Sequence, residues 1–111
     1  MALKLMPGET RNYSFKLPVA VSALSTVDVR FFQNEEKIVE YNEESENIGR
    51  ISSDPFILIV TVPREDTLKF ENRIRAYCQI EWETEGYHSV AKAQRITVGD
   101  YMNRDFVSGG V

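Results

Sequence analysis

The sequence predicts an all-β domain, an antiparallel sandwich of about seven strands with one short helix between the fifth and the sixth. Three observations predict it. Apolar residues recur at every second position rather than every third or fourth. The stretches that carry this period are short and separated by polar turns, and a single segment, PREDTLKF, reads as helix.

In YSFKL, Tyr13, Phe15 and Leu17 alternate with Ser14 and Lys16, the pattern of a strand buried on one face. VDVRFF repeats it, with Val27, Val29 and Phe31 set against Asp28 and Arg30. QNEEK is a polar turn into KIVEY, a short strand, and GRIS supplies another. FILIVTV, from Phe56 to Val62, is a continuous apolar run rich in β-branched residues, which predicts a central strand covered on both faces. In PREDTLKF, Pro63 suits a first helical turn, and Glu65 and Asp66 lie where the helix dipole favours negative charge. Leu68 and Phe70 are then expected to point inward as a plug at one end of the core.

The longest strand is expected from Ile74 to Trp82. Ile74, Ala76, Cys78, Ile80 and Trp82 fall on one face, and Arg75, Tyr77, Gln79 and Glu81 on the other. ETEGYH turns the chain with Glu85 and Gly86 at the tip, and YHSVAKAQRITV returns antiparallel. In that register Glu83 faces His88 and Cys78 faces Ala93. Ala91 and Ala93 share one parity while Ile96 and Val98 share the other, so a β-bulge is expected near Gln94 that lets both pairs face the core.

This strand decides the one question of catalysis that the composition raises. Cys78 and His88 are the only cysteine and the only histidine. The register sets them five rungs apart, about 16 Å, and on opposite faces, far outside the reach of a nucleophile and its base. Without a histidine in place the serines have no general base either. Glu81 and Glu83 flank Trp82 like a pair of glycosidase acids, but nothing suggests a cleft around them. NEESEN lacks the glycine and the closing bidentate glutamate of a calcium loop, and no phosphate-binding glycine loop occurs. The reading is a non-enzyme without catalytic residues, cofactor or metal.

At 111 residues the chain reads as one domain, residues 1–111, able to bury a core without staples. One cysteine excludes an internal disulfide framework and a multi-cysteine zinc site. The net charge of −4 is uneven: six glutamates against Lys37 between Glu35 and Glu46 make an acidic loop on a near-neutral body. Neither part has the basic stripe that displaces counterions from phosphates, so no nucleic-acid partner is expected. MALKLMPGET has no apolar run of signal-peptide length, and no stretch is long enough to span a bilayer, so the expectation is release into the cytoplasm and no membrane partner.

Both ends are read as arms, residues 1–9 and 100–111. YMNRDFVSGGV has no pattern for another full strand yet carries Tyr101, Met102, Phe106 and Val107, and MALKLM carries Leu3, Leu5 and Met6. Apolar residues at a terminus imply a surface to cover, on this domain or on a neighbour. Tyr101, Met102, Phe106, Val107, Leu3 and Leu5 are therefore the candidate partner-binding residues.

Seven strands, short turns and one plug helix make the sandwich immunoglobulin-like in architecture, without the cysteine pair or the tyrosine corner of antibody domains. The order YSFKLP, VDVRFFQNEEKIVEY, EDTLKF before a long strand, and RITVGD before a short polar tail resembles a group of small virion proteins encoded among the structural genes of phages and prophages of Gram-positive bacteria. EDTLKF and ITVGD are the most specific elements, and the likeness covers nearly the whole chain. It implies a structural protein of the tail or baseplate, made in the host cytoplasm, with other virion proteins as partners, repeated copies in the particle and no catalytic residues. A capsid decoration or head-fibre anchoring protein is the close alternative. A carbohydrate- or receptor-binding module is the alternative from another class, for which Tyr77, Tyr87 and Trp82 could supply aromatic faces.

Overall fold

The computed structural model describes residues 3–50, 54–91 and 93–99. In chain order its elements are β1 (Leu3–Leu5), β2 (Arg11–Lys16), β3 (Thr26–Gln33), β4 (Glu36–Asn42), β5 (Ile48–Arg50), β6 (Ile57–Val62), α1 (Arg64–Thr67), β7 (Ala76–Thr84), β8 (Tyr87–Val90) and β9 (Gln94–Val98). The larger sheet runs β1-β9-β7-β3-β4, with β8 also on β7, and the smaller runs β2-β6-β5. This is an all-β, immunoglobulin-like sandwich.

The two sheets close on one core because alternate side chains of each strand face the other sheet. Val27, Val29 and Phe31 of β3, Ala76, Cys78, Ile80 and Trp82 of β7, and Leu58, Val60 and Val62 of β6 are all buried. Phe31 sits at the centre. Its ring lies 6.2 Å from that of Tyr13, and it meets Tyr41 and Phe70 edge-on at 6.2 and 6.0 Å, the geometry that aromatic quadrupoles favour.

Several expectations are corrected. Nine strands stand among the described residues rather than about seven, and two causes account for the difference. The N-terminal arm is in part a strand: β1 pairs with β9, and in parallel, so the sandwich is not wholly antiparallel. Its alternation of Leu3, Lys4 and Leu5 lets Leu5 enter the core. The return strand is also split. Glu83 lies opposite His88, as expected, and Glu81 opposite Val90, but Cys78 faces Gln94 and not Ala93. One extra residue has therefore slipped in between Val90 and Gln94. That is the expected bulge, placed just before Gln94; Ile96 and Val98 reach the core and Ala91 packs against it, but Ala93, expected inside, is exposed.

β6 is central, between β2 and β5, but covered on one face only: Ile57, Ile59 and Thr61 are half-buried and Phe56 is exposed ahead of the strand. Among the described residues this three-stranded sheet has a single facing layer and nothing to bury its outer side. β7 starts at Ala76 rather than Ile74, because a turn at Glu71–Ile74, with Arg73 at φ 65°, precedes it.

Pro63 caps the helix rather than opening its first turn, with ψ at 166°. Since α1 is only four residues long, Leu68 falls at its C-cap and is exposed, and the inward position goes to Thr67, fully buried. Thr67 Oγ1 accepts the Gly8 N–H at 3.0 Å and lies 2.7 Å from the Glu9 carbonyl, tying the helix to the β1–β2 connection. Phe70 points inward as expected.

Candidate functional site

The sole thiol and the sole imidazole are apart. Cys78, on the inner face of β7, is enclosed by the core, and burial pushes its thiol up to about 12, so it stays protonated and unreactive at neutral pH. His88, on β8, is exposed beside Glu83, its Nε2 4.0 Å from Glu81 Oε1. Five rungs of β7 lie between the two positions, about 16 Å.

Charge chemistry gathers instead on the outer face of the larger sheet, where the register brings Arg30 of β3 between Glu40 of β4 and Gln79 of β7. Arg30 Nε donates to Glu40 Oε2 at 2.8 Å, Nη1 donates to Glu81 Oε2, and Nη2 lies 3.6 Å from Asp28 Oδ2. Lys37 Nζ reaches the other Glu40 oxygen at 2.7 Å. The hydrogen bonds from Arg30 and then Lys37 hold the Glu40 carboxyl below the usual carboxylate range, and the bond to Glu40 raises Arg30 further. Each of these carboxylates is engaged by a cation, and Glu83 lies farther along the strand opposite His88.

The acidic loop after β4 folds on its own side chains: Asn42 Oδ1 accepts the Glu44 N–H, Ser45 Oγ accepts the Asn42 N–H, and Glu43 Oε1 accepts the Val27 N–H at 3.1 Å. Among the described residues no group of three or more acids, histidines and cysteines could hold a metal ion. No helix among them is long and apolar enough to cross a membrane.

The candidate contact residues divide into two sets. Leu5 is packed into this domain's own core and Leu3 lies half-buried against it, so the N-terminal segment covers its own sheet. Tyr101, Met102, Phe106 and Val107 lie outside the described residues. The segment that bears them leaves from Gly99, whose N–H donates to the Leu5 carbonyl at 2.9 Å. Of the three aromatics weighed for a sugar site, Trp82 is buried, while Tyr77 is 41% and Tyr87 75% exposed.

The sheet edges offer main chain as well. Among the described residues β1, β2, β4, β5 and β8 each have a neighbouring strand on one side only. β2 stands at an edge because β1 has joined β9, a pairing that no local pattern in the sequence reveals.

No family model and no curated protein matches the chain. Among solved structures it aligns with the NK cell receptor NKp44, described as a triggering partner in natural cytotoxicity, at 16% identity over 89% of this chain and 99% of that one, with a TM-score of 0.46. The immunoglobulin-like assignment itself stands on the strand order and pairing described above.

Proposed function

We propose that this chain is a non-enzymatic structural module of a phage particle, present in repeated copies in the tail or baseplate and joined to its neighbours through sheet edges and the C-terminal segment. The observation that carries the reading is the pairing of an apolar terminal stretch, Tyr101, Met102, Phe106 and Val107, with a sandwich whose charge cluster, Arg30 with Glu40 and Glu81, is engaged within itself. The resemblance of the strand order to small virion proteins of phages of Gram-positive bacteria supplies the setting. Its partners are other virion proteins and further copies of itself, and its place is the virion after synthesis in the host cytoplasm.

Deleting Tyr101 to Val111 tests it. The truncated domain is expected to fold and to be left out of particles; incorporation at the normal level counts against the proposal. A capsid decoration or head-fibre anchoring role differs only in location, which an electron-microscopy map of the assembly separates.

A receptor- or carbohydrate-binding module is the second reading, favoured by the exposure of Tyr87 at the β7–β8 hairpin. Glycan binding that disappears in Tyr87→Ala would support it.

A further inference from the structure

A row of N–H and C=O groups without a neighbouring strand is a template for another strand unless something blunts it. Among the described residues five strands stand at an edge, and four of them are blunted, β8 by its length of four residues. β1 and β5 have three residues each, and β4 is bulged against β3 between Phe31 and Phe32 and carries Glu36, Lys37 and Glu40. β2 is different. It runs for six residues without a register shift against β6, and its charges, Arg11 and Lys16, stand at its two ends. In the common immunoglobulin-like order the first strand lies beside the second; here β1 pairs with β9, which makes β2 an edge.

One hydrogen bond sets the parity of that edge. The Leu17 N–H donates to the Phe56 carbonyl at 2.8 Å and continues the β2–β6 ladder. In an antiparallel pair, Arg11, Tyr13 and Phe15 then turn their main-chain groups toward β6, and Asn12, Ser14 and Lys16 turn theirs outward. Those three residues are exposed, and no other strand among the described residues bonds to their outward groups.

We propose that this edge pairs with the same edge of a second copy, antiparallel, about a twofold axis at Ser14. It is the one register in which every outward-facing residue of β2 meets another outward-facing residue of the strand: Ser14 meets Ser14, and each Asn12 meets Lys16 of the other copy. Charge agrees. Centring the pair on Lys16 would set two ammonium groups face to face, whereas the Ser14 register holds them about 14 Å apart, beyond the screening length of physiological salt, with a neutral amide opposite each. Tyr13 then lies beside Phe15 of the second copy on the inner face, and the two small sheets become one of six strands. A cavity of about 180 Å³ opening beside Ser14, lined by Leu3, Phe15, Leu17, Ile80 and Ala91, lies along the same edge. The setting, repeated copies in a particle, rests on the function proposed above; the contact itself does not.

Sedimentation of the full-length protein from micromolar to several hundred micromolar tests it. The wild type is expected to form dimers. Ser14→Lys and Ser14→Asp each place like charges opposite one another and weaken the dimer about fivefold, while an equimolar mixture of the two restores a heterodimer. Ser14→Pro removes an outward N–H that β6 does not use, so it is expected to keep the fold, read by circular dichroism, and to lose the dimer by more than about tenfold. A wild type that stays monomeric throughout, variants that dimerise like it, or a mixture that does not recover would each overturn the proposal. Particle incorporation is not read here: a monomer that still enters particles removes the edge contact and leaves the structural role standing.

Discussion

Gln33 and Glu71 are joined twice. The Glu71 N–H donates to Gln33 Oε1 at 2.8 Å, and Gln33 Nε2 donates back to the Glu71 carbonyl at 3.0 Å and to the Ile74 carbonyl at 2.8 Å. This buried amide clasps the turn that launches β7, and with it the strand holding Cys78 and Trp82.

Replacing it with an apolar side chain of similar size leaves those main-chain groups without partners. Gln33→Leu is expected to destabilise the domain by about 2 kcal/mol, read as a lower urea midpoint with an unchanged slope.

The two hairpins predict opposite signs. Asn34 and Glu35 join β3 to β4 at φ 52° and 66°, and Glu85 and Gly86 join β7 to β8 at 49° and 85°. Both are two-residue turns that need left-handed backbone. Glu35→Gly relieves a strained residue and is expected to gain about 1 kcal/mol, while Gly86→Ala is expected to lose about as much. A Cβ at residue 86 would meet nothing within 4 Å, so that loss is backbone strain alone. Thermal melts of the two variants should move in opposite directions.

Cys78 gives the domain an alkaline limit. Its thiol ionises near 9.0 in an unfolded chain and at about 12 in the fold. Below the first value both states are protonated and the stability is fully present. As pH rises between the two values the unfolded state loses its proton first, and stability falls by about 1.4 kcal/mol per unit. Burial raises Tyr13 and Tyr41 as well, the latter further by its hydrogen bond to Asp66, and they steepen the decline at higher pH. Urea titrations above pH 9 check the slope, and Cys78→Ala should flatten its first part. A thiol reagent is expected to modify the wild type only on unfolding.

The Arg30 network gives an acid counterpart. Because its two cationic neighbours lower the Glu40 carboxyl, that group contributes stability above its unfolded value, and the contribution is lost as pH falls through the lowered one. The groups are partly exposed, so solvent screens them, and Arg30→Met is expected to cost under about 1 kcal/mol at pH 7. The difference from wild type should narrow in acid and in molar salt.

Strands with a two-residue period were legible in the sequence because one buried face leaves a direct mark: Val27, Val29 and Phe31, or Cys78, Ile80 and Trp82, announce their parity. The slip before Gln94 was legible for the same reason, as a change of parity. Gln33 was missed although it shares parity with Phe31, since a polar residue ends an apolar pattern even when main-chain groups satisfy it. β1 was missed because three residues are too few to show a period, and its parallel pairing with a strand more than ninety residues away leaves no local trace. The separation of Cys78 from His88 followed from rung counting, whereas the Arg30 cluster gathers residues from three strands and needs the register between them.

That parallel pair also decides how the molecule responds to being pulled. Leu3 lies beside Ile96 and Leu5 beside Val98, so the two strands run the same way, and the chain enters and leaves at opposite ends of this short pair. Tension applied across the two ends slides β1 against β9 and loads their rungs together in shear, instead of peeling them open in turn. A domain strung in line this way gives in one abrupt step, as a mechanical fuse does.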